Sequence, residues 1–186
     1  MTGTETTQTE TQTQTTETQT ETLSQERADL LETLRTHRYF LKVTVQGITD
    51  KQARLHPTAS ALTLGGLIKH VTATEQGWYD FATGRPEGMG AGGDNEASYR
   101  DEFVMREDET LAGLLAAYDE IAARTDELAA TADLDVAYPL PPAPWFAPGA
   151  TRSVRRVLMH IVAETAQHAG HADIIRETID GQKTMG

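Results

Sequence analysis

Glu164 and His168 are the two side chains whose types and spacing first suggest chemistry. They stand four residues apart in HIVAETAQHAGHADIIRE, residues 160–177, where apolar residues recur at helical intervals. With about 100° per residue and Ile161 at the centre of the stripe, Val154 and Ala172 fall about 20° to one side. Val157 and Ile175 fall about 40° to the other side, with His168 at about 20° and Glu164 at about 60°. A carboxylate and an imidazole therefore share an apolar face. His171 and His160 follow at about 80° and 100°, on its shoulder. A buried ionised carboxylate is costly unless something compensates it, and a metal ion is one such compensator. A Glu–His pair at i, i+4 lies about 5–6 Å apart at Cβ. Both side chains can then reach one ion through bonds of about 2.0–2.2 Å. The same spacing also serves a surface pair or a buried hydrogen bond.

Two ligands hold a metal poorly, so the metal reading requires a third from a facing helix. The segment LTLGGLIKHVTATEQGW, residues 62–78, offers His70. It lies about 60° from Leu67, at the edge of a stripe that includes Val71 and Trp78. Alone, a histidine there reads equally as a hydrogen-bonded core residue. His70, Glu164 and His168 together are the candidate metal ligands. His171 is the candidate catalytic residue: a proton shuttle at the mouth of the site, with a fourth ligand and a surface residue as its alternatives. His160, one turn before Glu164, could orient that carboxylate. His37 and His56 read as structural or solvated.

Four helices must position these groups. Apolar periodicity predicts them over about 24–46, 63–82, 108–130 and 153–179. Ser24 opens the first, and Ser153 and Gly181 bracket the last. Asp108 is the expected N-cap of the third. Thr49 and Asp50 suggest a short extra turn. Two long loops remain, the Gly-rich 83–107 and the Pro-rich 131–152, as lids or as connectors. The Gly-rich loop matches no phosphate-binding pattern. Four amphipathic helices without a convincing strand predict an all-α four-helix bundle, a fold whose interior commonly hosts metal sites.

Residues 1–22 hold twelve Thr, four Glu and four Gln. Nothing there can be buried to offset the entropy of ordering, so residues 1–23 are expected to be a disordered tail and residues 24–186 the bundle. The tail has neither the basic start and apolar run of a secretory signal nor the basic residues of a transit peptide. No apolar run approaches the ~18 residues that span a bilayer, which predicts a chain with no membrane partner. The absence of Cys excludes disulfides, thiolate nucleophiles and Cys-ligated zinc, and it fits a reducing cytoplasm. Net charge is −12. With only TRSVRR at 151–156 as a basic cluster, the field argues against nucleic-acid binding.

The GL-x-KH element around His70, followed in order by ExxxH-x-GH around His168, resembles the DinB-like superfamily of four-helix metal proteins. The resemblance runs through nearly everything from Leu30 to Gly181. It implies a bundle that binds a divalent metal through three side chains, carried over here to His70, Glu164 and His168. Many members use three histidines. The branch of the mycothiol-dependent maleylpyruvate isomerase uses His, Glu and His, which Glu164 suits. Where many relatives have Gln three residues after the last ligand, this chain has His171. Nothing in these residues is expected to correspond to that isomerase's second domain. The resemblance further implies a metal-dependent transferase or isomerase using mycothiol or a related small thiol, with an electrophilic second substrate and a homodimer among its partners. Zinc suits the ligand set, while nickel, iron and manganese fit it too. A metal–water hydrolase and a non-catalytic metal-binding stress or structural bundle are the rival readings.

Overall fold

The computed structural model describes residues 23–85, 100–144 and 146–184. The expected tail and most of the Gly-rich loop lie outside the described residues, as does Trp145. The long helices are α1 (Gln25–Val43), α3 (Leu64–Ala82), α4 (Leu111–Thr131) and α5 (Val154–Asp180), with a single turn, α2 (Asp50–Ala53), after α1.

Side-chain caps set where each helix starts. Ser24, Thr63, Thr110 and Ser153 each accept a hydrogen bond from the backbone N–H three residues on, satisfying a donor that the first turn leaves free. Thr49 forms a full capping box with Gln52 on α2. Asp108 is not the cap of α4. The helix begins at Leu111, whose N–H is taken by Asp50 Oδ1 at 2.8 Å, and the Thr110 hydroxyl accepts from Gly113 at 3.1 Å. At its other end α5 stops at Gly181, where φ is 80°. That left-handed value is cheap only for glycine.

The Pro-rich connection is more ordered than a plain loop. Its ends pair as an antiparallel ribbon of β1 (Ala137–Pro139) and β2 (Thr151–Ser153), in the register Ala137↔Ser153 and Tyr138↔Arg152. The three-residue strands are too short for the period-two pattern that reveals a strand in sequence. The ribbon still matters, because Ser153 leaves β2 and caps α5, so its pairing sets where α5 begins.

Around the bundle, α1 neighbours α5 and α4, and α3 neighbours α4 and α5. One apolar cluster combines Leu41, Leu67, Ile68, Val71, Tyr118, Ile121, Ala172 and Ile175. A second gathers Leu31, Leu34, Phe81, Val154, Val157, Leu158 and Ile161. The stripes predicted for α3 and α5 are thus the faces that meet, and His70 and His168 are carried inward with them. No helix among the described residues is long and apolar enough to cross a membrane.

Candidate metal centre

His70 comes from the second turn of α3, and Glu164 and His168 from adjacent turns near the middle of α5. One ligand atom from each lies within 4.8 Å of the other two, and no other such group of three occurs among the described residues. Both histidines are buried and Glu164 is half-buried. The imidazole rings meet edge to face with centroids 4.9 Å apart. Glu164 Oε2 lies 3.5 Å from His168 Nε2, while its other oxygen lies 3.5 Å from His160 Nε2.

The electrostatics suit a cation. Burial, reinforced by the proximity of His168, lowers the His70 pKa to about 4, against a smaller opposing pull from Glu164. Its ring is therefore neutral at pH 7 and has a lone pair to offer. A hydrogen bond from His168 holds the Glu164 carboxyl below its ordinary value, despite partial burial. Two imidazoles and one carboxylate make a donor set of the kind zinc and other divalent ions take.

His171 stands beside this group but does not join it. Its Nδ1 is 3.5 Å from His168 Nδ1, and it is half-buried, so it sits next to a candidate ligand and near solvent. His160 touches Glu164 and packs edge-on against Trp78, with centroids 4.6 Å apart. His37 packs against Phe40 at 6.4 Å, and His56 is exposed.

Two neighbours of His70 carry no signal in the sequence. Phe103 stacks on the ring, with centroids 3.9 Å apart and an interplanar angle of 20°. Glu102 Oε2 approaches His70 Nδ1 to 3.5 Å, and burial raises the pKa of that carboxyl. The other ring nitrogen, Nε2, lies 3.4 Å from the Thr74 hydroxyl. Glu102 and Phe103 both lie in YRDEFVM, a short mixed stretch without periodicity. What brings it onto α3 is the pair Gly65–Gly66. A Cβ at Gly66 would overlap the Phe103 carbonyl, and one at Gly65 would overlap the Met105 sulfur. Lys69 also holds the stretch, donating to the Val104 carbonyl at 3.0 Å and pairing with Glu109 at 2.9 Å.

A four-helix bundle with a His/Glu/His group facing its interior from α3 and α5 has the architecture of the DinB-like class. Within that class, the chain belongs to the mycothiol S-transferase family, whose model matches residues 29–181. No curated protein matches the chain.

Proposed function

We propose that this protein is a divalent-metal-dependent S-transferase that uses mycothiol or a closely related small thiol, with zinc as its metal. The observation that carries the proposal is the convergence of His70, Glu164 and His168 in a chain of this family. An ion held there would lower the pKa of a coordinating thiol, so that the thiolate is available at neutral pH. The chain's own residues do the rest. His70 and His168 present their imidazoles from neighbouring helices, and Glu164 supplies the carboxylate. Phe103 and the surrounding apolar clusters keep water from the buried side. His171, against His168 and near solvent, is placed to carry the thiol proton outward, and His160 steadies the Glu164 carboxylate from the other side.

The test is metal analysis of the purified protein beside His70→Ala and His168→Ala, with mycothiol consumption in the presence of chlorodinitrobenzene measured on the same samples. The expected result is one metal per chain, lost in both variants together with the enzymatic rate. Stoichiometric metal that persists in both variants would overturn the site. A fully metallated protein that does not accelerate the conjugation would overturn the activity and leave a structural metal.

A further inference from the structure

A row of side chains on α5 is not used by the chemistry above. Arg156, His160 and Glu164 follow one another at i, i+4 and i+8, so they share a face, and Arg152 precedes them on β2 opposite Tyr138. Glu164 belongs to the candidate centre, and His160 links it to Trp78 through the 3.5 Å and 4.6 Å contacts already given. Beyond His160 the charge turns positive. Arg156 stands one turn before His160 on α5, and Arg152 lies on the ribbon strand that leads into the helix.

These two arginines are also uncommitted. Arg155, between them in sequence, is held by Glu26 and Asp135. Arg156 is exposed and has no carboxylate partner among the described residues. Arg152 is half-buried, and its Nη1 donates to the Thr151 carbonyl at 3.1 Å. Most cations of this acidic chain are differently placed. Lys42, Lys69, Arg35, Arg38, Arg85, Arg106 and Arg176 each meet a carboxylate. Arg27 and Arg54 are spent on backbone carbonyls. A pair of arginines without acid partners among the described residues, with Arg156 two helical turns from Glu164 in a molecule of net charge −12, is a local reversal of the field. The chemistry that such a pair recognises is a planar anion, since the guanidinium fork matches a carboxylate.

We infer that Arg156, supported by Arg152, binds a carboxylate carried by the electrophilic substrate. The carboxylate is held one to two helical turns, ~5–11 Å, from the reacting carbon, with the Trp78 indole flanking the stretch between. The inference rests on the S-transferase reading and adds the class of acceptor to it. In the transfer, the thiolate sulfur forms a bond to the electrophile's carbon. The bond from that carbon to the leaving group breaks, the leaving group departs with its electron pair, and the thiol proton passes to solvent.

The experiment compares chlorodinitrobenzene with its carboxylated analogue, chlorodinitrobenzoate, using mycothiol as donor and the metallated protein, with the uncatalysed rates subtracted. Chloride is the leaving group in both. The wild-type protein is expected to show the higher kcat/KM on the benzoate. Arg156→Gln should raise KM for the benzoate about tenfold and leave the uncharged substrate within about twofold, the scale expected of one charge-assisted contact. Lys51→Gln, which removes an exposed charge on α2, should change neither. Equal losses on both substrates, or none on either, would overturn the inference. If the protein turns over neither electrophile, the S-transferase reading falls, and the anion site is then decided by calorimetric titration of unreactive dinitrobenzoate. Binding to wild type that disappears in Arg156→Gln supports the site. No binding to wild type, or equal binding to both, overturns it.

Discussion

His70 shows how one environment can hold a side chain ready for a cation. Its ring is enclosed by Phe103, His168 and the apolar clusters, and its pKa falls from 6.5 to about 4 because the interior disfavours the charged form. Linkage then gives the metal-free protein a defined acid sensitivity. Between about pH 6.5 and 4 the unfolded chain binds the His70 proton and the folded chain does not, so lowering the pH favours unfolding. This contribution is complete at pH 7, declines as pH drops from about 6.5 toward 4, and changes no further below that. Denaturant titration of metal-free protein at pH 7 and pH 4.5 should show the loss, and His70→Gln should show a smaller one. An identical loss in the variant would assign the effect to other groups, of which the lowered Glu164 carboxyl is the nearest.

At the scale of elements, two adjacent glycines at the start of α3 decide what sits on His70. Glycine inside a helix costs about 1 kcal/mol relative to alanine. Gly65 and Gly66 are therefore a local disadvantage, offset by letting the 103–105 stretch lie directly on the helix. Gly66→Ala should gain that propensity yet lose more, because the new methyl must displace backbone rather than a flexible side chain; the net cost should be about 1–3 kcal/mol. Phe103 and Glu102 would be lifted from the His70 ring, so metal affinity should fall with stability. Gly170→Ala on α5 is the opposite case: its Cβ meets nothing within 4 Å, so it should stabilise by up to about 1 kcal/mol and leave metal binding alone. Thermal unfolding and metal titration of the two variants side by side check both signs. The ribbon acts at the same scale, since its pairing fixes where Ser153 caps α5 and so where Glu164 and His168 begin their count.

Across the whole molecule, a buried ionic network ties three of the four long helices together. Arg38 of α1 grips Glu75 of α3 and reaches Asp126 of α4 at 2.6 Å. Glu75 is 1% exposed. Tyr118 of α4 lies in the same interior, its phenol pKa raised by burial and by the Glu75 charge. Removing Glu75 leaves the buried Arg38 with only the partly exposed Asp126 to compensate it, so Glu75→Ala should destabilise by about 3 kcal/mol, the lower end for a broken buried pair. Replacing both, with Arg38→Met and Glu75→Leu, should recover most of that loss. Denaturation midpoints of the single and double variants measure the difference, and equal losses in both would show that stranded charge is not the cause.

The sequence by itself determined the helices, the Ser153 cap and Gly181 stop of α5, and the inward faces of α3 and α5, because these follow from local periodicity and from single side chains meeting nearby backbone. It also marked His70, Glu164 and His168 as candidates, since their place on those faces is set by the helical repeat alone. Only the tertiary structure decided that the three converge, that Glu102 and Phe103 close over His70, and that Glu75 turns inward to Arg38. Each of these depends on which chain segments become neighbours across long sequence separations. A polar residue such as Glu75 has no local sign distinguishing a solvated position from a paired one. Proximity between distant segments is a product of packing, and packing is not written in any short window of the chain.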